Sequence, residues 1–205
     1  MDTLITSIEN ATDSLERAAV ELGQGLDDAL AWKGALAWSW HSIGLLAYVR
    51  LQPASDSFDP WIRDYFLPGE PDLDVERDAQ WEERQRLSFL ELIDLLSAQE
   101  LSILKPSFYQ GWQERSSRCR ELRREVTELV GASLEEEQRQ QLLYLLAAYH
   151  RLIRLPTAAR IDVTRVHACY PALLDLARML LMKEPPGGAG AALLTAISNC
   201  RHALD

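Results

Sequence analysis

Apolar residues recur along almost the whole chain at spacings of three and four, the repeat that gathers side chains on one stripe of a helix. Leu4, Ile8, Ala11, Leu15, Ala18 and Leu22 form the first stripe, and Gly23 and Gly25 interrupt it. Residues 28–51, DALAWKGALAWSWHSIGLLAYVRL, are apolar on nearly every side and carry Trp32, Trp38 and Trp40. A helix of that kind is central to its bundle or part of an oligomer interface. Trp38 and Leu45 share one side with Ser42 or His41, and Lys33, Ala37 and Trp40 share another.

Residues 52–79 break the period. Four prolines and a dense run of acids there predict a long connection, with one short turn around Trp61 to Phe66. Helix resumes over 80–104, with Leu87, Leu90, Ile93 and Leu96 on one side. Pro106 opens the next helix, where a missing N–H costs little. Phe108, Trp112, Cys119, Leu122, Val126 and Leu129 line up along it, with Arg115 in an otherwise apolar slot. Gly131 predicts its end.

Ser133 followed by Glu136 reads as a capping box for a helix whose stripe is Leu142, Leu145, Leu146, Tyr149 and Leu152. A further helix is expected from Val163 to Met182, bent at Pro171. EPPGGAGA reads as a flexible joint. Ala191 to Leu204 then forms a last helix with Leu193, Leu194, Ile197 and Leu204 inward. No segment reads as a strand. The expected fold is an all-α, single-domain bundle of about six to seven helices with one long acidic, proline-containing loop. Residues 1–184 make the bundle, and 185–205 the joint and a C-terminal helix docking on the same domain.

Composition fits that architecture. The 205 residues are 47% hydrophobic and 25% charged, which is globular rather than disordered. A net charge of −10 opposes broad affinity for nucleic acid or anionic membrane. Cys119, Cys169 and Cys200 are an odd set without CxxC pairing, as expected of free thiols in a reducing cytosol. The N-terminus lacks the basic start of a secretory signal, and no stretch reaches the roughly 18 to 20 apolar residues of a membrane span. The expectation is a soluble, cytoplasmic protein.

Several chemistries lack their residues. The four histidines, His41, His150, His167 and His202, are never paired at i,i+4. With no HExxH or repeated ExxH, no metal site is expected, and no cofactor either. There is no GxSxG, and the glycine-rich PPGGAGA lacks the Lys-Ser/Thr of a phosphate loop. His41, set among tryptophans, reads first as a hydrogen-bonded buried histidine. Cys119 reads as a small core residue.

The unusual local feature is basic. Arg115, Arg118, Arg120, Arg123 and Arg124 crowd into ten positions of an acidic chain. Arg120, Arg124 and Glu128 follow at spacing four, and Glu121 is placed to pair with Arg124. A solvated helix face carrying pairs worth about 0.2–0.5 kcal/mol each has that pattern.

The stretch AWKGALAWSWHSIGLLAYVRL (31–51) also resembles the early helix of HEPN-like helical domains, in which a tryptophan–lysine start leads into an apolar helix with a central histidine. CRELRREVTELVGASLEEE (119–137) is similar to the stretch that carries their Arg-Asn-x-x-x-His motif. The resemblance covers residues 10–155. It implies two subunits joining their motifs across a dimer interface, with the arginine on an RNA phosphate and the histidine in proton transfer. Carried over, Arg123 matches the motif arginine, Arg124 stands where asparagine is expected, and Glu128 stands where histidine should be. A carboxylate repels phosphate and stays ionised at neutral pH. The resemblance therefore implies a degenerate site.

The expected function is that of a non-catalytic HEPN-like bundle acting through protein–protein contact as a homodimer. A regulatory role in a defence or toxin–antitoxin-like system comes from the family alone. The expected interaction surface is Trp32, Trp38, Trp40, Arg115, Arg118 and Arg120, with RNA not favoured as a partner. Two alternatives stand beside it. One is a ribonuclease with a displaced base, using Arg123 with His41 or His150. The other is a small-ligand-binding bundle capped by the aromatic loop around Trp61.

Overall fold

The computed structural model describes residues 5–24, 28–51, 89–97, 123–154, 160–181 and 188–205. Within them the chain is all-α, with one isolated bridge between Ser97 and Leu134. The acidic connection 52–79 and the joint after Met182 lie outside the described residues, as do Leu4, Leu87 and the start of the arginine helix.

Helix α1 spans Ser7–Gly23. Thr6 caps it: its hydroxyl accepts from the Glu9 N–H at 3.2 Å, and its own N–H donates to Glu9 Oε2 at 2.9 Å. This box satisfies two donors that a helix start leaves without partners. Ile8, Ala11, Leu15, Ala18 and Leu22 are buried, the stripe expected from their spacing. Thr12 and Ser14 are buried beside them, with hydroxyls that donate to the carbonyls of Ile8 and Asn10.

Helix α2, Ala29–Leu51, packs against α1 and three later helices, which explains its apolarity. Trp32 and Trp40 are 1% and 0% exposed. Trp32 sits edge-on to Tyr170 at 5.5 Å, and Trp40 lies 4.8 Å from Phe89 and 6.5 Å from Tyr149. Burial of such rings gives about 3 kcal/mol or more each relative to exposure. The expectation that these two tryptophans form an interaction surface is corrected here: they fill the chain's own core. One polar pair sits inside this core, while the Trp40 indole N–H and the Ser42 hydroxyl are buried without a hydrogen-bond partner among the described residues. Ser39 Oγ and Tyr170 OH are 2.6 Å apart, and burial raises the Tyr170 phenol far above its ordinary pKa.

Helix α3, Phe89–Leu96, buries Leu92, Ile93 and Leu96. Residues 123–130 form helix α4, which Gly131 ends at φ 77, a left-handed conformation that favours glycine. Helix α5 is Glu136–Arg154. The expected Ser133 cap is displaced. Leu134 donates its N–H to the Leu96 carbonyl at 2.7 Å and is buried, which holds it in the bridge rather than in a helical turn. Gln138 Oε1 instead accepts from the Glu135 N–H at 3.1 Å. Leu142, Leu145 and Leu146 are buried, with Tyr149 and Leu152 packed at the edge.

Helix α6, Val163–Leu180, begins at Asp162, whose carboxylate accepts from the Arg165 N–H at 3.0 Å. Pro171 stands inside it on an exposed position. Helix α7, Ala189–Leu204, packs on α1 and α6. Leu193, Ala196, Ile197 and Cys200 face inward, whereas Leu194 is 44% exposed, contrary to expectation. One residue is about 100° of turn, so Leu194 cannot share the stripe set by Leu193, Ile197 and Cys200. The Cys200 thiol donates to the Leu15 carbonyl at 3.2 Å, and burial pushes its pKa up to about 12. His167 adds a second anchor, with Nε2 3.0 Å from the Leu204 carbonyl at the end of α7. No helix among the described residues is long and apolar enough to cross a membrane.

Candidate functional site

Helix α4 carries the residues to which the arginine motif maps. Val126 and Val130 are buried, and Arg123, three residues before Val126, shares their side of the helix. Its guanidinium therefore turns inward. Nη2 donates to both carboxylate oxygens of Asp94 on α3, at 3.1 Å each. The two side chains are only 14% and 8% exposed. A cation and an anion held this close with little water neutralise one another, and removing Asp94 takes this counter-charge from the buried Arg123 guanidinium.

Arg124 and Glu128 point the other way. Arg124 Nε lies 3.9 Å from Glu128 Oε1, with side chains 70% and 71% exposed. Pairs this wet contribute about 0–1 kcal/mol. Arg50 of α2 closes the far end of α4 by donating from Nη2 to the Leu129 carbonyl, where helix carbonyls lack internal partners and a cation is favoured. The three positions implied by the resemblance are thus not brought together: one is inside, and two are a solvated pair. Arg115, Arg118 and Arg120 lie outside the described residues.

His41 occupies a different place, the seam of α1 and α2. The residue is exposed rather than buried, which corrects the first reading of it. Its Nδ1 is 2.9 Å from the hydroxyl of Ser14, which is 0% exposed. Both contacts of Ser14 are made at once only when its single proton goes to the Asn10 carbonyl, 2.8 Å away. Hydrogen bonding therefore assigns the other proton to Nδ1, which donates to Ser14, and leaves the lone pair on Nε2. Partial burial lowers the His41 pKa below its ordinary value, favouring the neutral ring. The Trp38 ring stands 6.5 Å away, edge to face, with the Arg17 guanidinium 5.1 Å over it. Trp38 is half-buried, the one tryptophan of the expected surface that reaches solvent.

A displaced-base arrangement needs Arg123 beside His41 or His150. The Arg123 guanidinium is engaged by Asp94 and the His41 ring by Ser14. His150 is exposed on α5, with its ring 5.6 Å from Tyr149. Among the described residues, no group of three or more His, Cys, Asp or Glu could hold a metal ion.

Two residues that decide this geometry, Asp94 and Ser14, did not stand out in the sequence. The signal for Asp94 was its position inside the apolar run FLELIDLL, next to Ile93. A buried carboxylate there demands a cationic partner. The signal for Ser14 was a small polar residue beside Leu15, on the face that packs against α2. The chain matches no family model, no curated protein and no solved structure.

Proposed function

We propose that this chain is a non-catalytic HEPN-like helical bundle that works through protein–protein contact, with a second copy of itself as the partner. The observation that supports the reading is the buried Arg123–Asp94 pair. Cutting a phosphodiester requires a cation on the charged phosphorane and a group that moves protons near neutrality. Here the motif arginine is neutralised inside the fold, and the expected histidine position holds Glu128, paired with Arg124 in solvent.

The α2 face that fills the core is not free for a partner. Contact with a second copy would use the first turn of α2, where Leu30 is 73% exposed. The test has two arms. Purified protein incubated with mixed single-stranded and structured RNA is expected to leave it intact. Cleavage that disappears in Arg123→Ala overturns the non-catalytic reading. Light scattering coupled to gel filtration is expected to give twice the chain mass, reduced to one chain in Leu30→Asp. A monomer at all concentrations overturns the choice of partner.

A further inference from the structure

We propose that His41 is a phosphoryl-accepting nucleophile, whose Nε2 takes the phosphoryl group of an activated donor such as a phosphoramidate or an acyl phosphate. The inference rests on an imidazole that is both exposed and fixed in one tautomer. Neutral histidine carries its lone pair on either nitrogen, and the partner of the other nitrogen decides which. At His41 that partner is built into the core: Nδ1–H donates to Ser14 Oγ, and the Ser14 hydroxyl donates to the Asn10 carbonyl. Ser14 is completely buried and cannot turn to another partner in solvent. The basic nitrogen is consequently Nε2, the ring nitrogen of this exposed residue that is not turned to Ser14.

The surroundings suit an anionic reagent. Arg17 is held over the Trp38 ring, 5.1 Å from its centre, and its contact with Asp13 uses Nε at 2.7 Å. The Nη groups stay available to a phosphoryl oxygen. The chain also carries its own controls. His167 presents Nε2 to the Leu204 carbonyl at 3.0 Å, so that nitrogen holds a proton and is no nucleophile. His202 is exposed near the end of α7.

The step balances simply. The Nε2 lone pair forms the bond to phosphorus. The bond to the leaving group breaks with its electron pair, releasing ammonia from phosphoramidate already protonated on nitrogen, or a carboxylate from an acyl phosphate. Nδ1 keeps its proton and its bond to Ser14, and the ring positive charge lies against the new phosphoryl dianion.

The full-length protein is treated with potassium phosphoramidate and, separately, with acetyl phosphate. Intact-mass and peptide mapping follow the adduct, and phosphorus NMR identifies the nitrogen. The expected result is one phosphoryl group on His41 Nε2, formed several-fold faster than any on the exposed His202. His41→Gln abolishes it, and Ser14→Ala, which frees the tautomer, slows it several-fold. Should Ser14→Ala fail to fold, as judged by circular dichroism, the rate ratio between His41 and His202 carries the test. Equal labelling of His41 and His202, labelling on Nδ1, or no adduct from either donor overturns the proposal. The RNA and oligomer measurements are independent of this outcome.

Discussion

The tryptophan helix and the arginine helix are both built from alternating inward and outward positions, yet they attach to the bundle by different physics. Helix α2 is held by shape: Trp32, Trp40, Ile43 and Leu46 interlock with rings and aliphatic groups from α1, α3, α5 and α6. Helix α4 buries Val126 and Val130 but is also fixed by charge. Arg123 is clasped by Asp94 at the first described residue, and Arg50 binds the Leu129 carbonyl near the helix end. Burial by shape tolerates many residues of the right size. A buried guanidinium tolerates only the partner it was folded with. An arginine-rich stretch can therefore be structural even when its spacing resembles a catalytic motif.

The contrast can be broken first on the apolar side. Trp40→Ala removes a fully buried ring facing Phe89 and Tyr149 and is expected to cost about 3–5 kcal/mol in urea unfolding. Tyr170→Phe leaves the shape intact but deprives Ser39 of its partner, and should cost about 1–2 kcal/mol in the same measurement. A smaller effect is a pH dependence at the α1–α2 seam. The folded His41 pKa lies below its ordinary value because burial disfavours the charged ring. The unfolded chain therefore binds the proton first as pH falls. The His41 contribution is fully present above about pH 6.5 and is lost as pH drops through the unfolded and then the folded pKa. His41→Gln should flatten that part of a stability-versus-pH curve. Smallest of all, Glu128→Gln breaks only a solvated pair and should change stability by less than about 0.5 kcal/mol. A larger loss there would mean that the outer face of α4 is not simply wet.

Much of this architecture was legible because burial follows the helical period. Ile8, Ala11, Leu15, Ala18 and Leu22 on α1, and Leu142, Leu145 and Leu146 on α5, fall on the faces their spacing requires. The Gly131 stop follows from the freedom of glycine at positive φ. What failed needed a partner far away in sequence. Ser133 and Glu136 have the spacing of a cap, but Leu134 is drawn into a bridge with Ser97, which no local pattern contains. The all-round apolarity of α2 fits a dimer face and a central helix equally well, and only the positions of α5 and α6 distinguish them. Arg123 and Asp94 are 29 positions apart, so the motif could be read while its neutralisation could not. Leu194 was a simpler error of angle, one step off the α7 stripe.

The central claim is that Arg123 serves the fold through Asp94, and a double-mutant cycle measures that directly. Unfolding free energies are compared for the wild type, Arg123→Met, Asp94→Leu and the pair together. Each single change should cost about 3 kcal/mol by breaking the buried pair, and the double variant should recover much of that loss, giving a coupling of about 1–3 kcal/mol. Single losses that simply add, with no coupling between the two positions, would contradict the account.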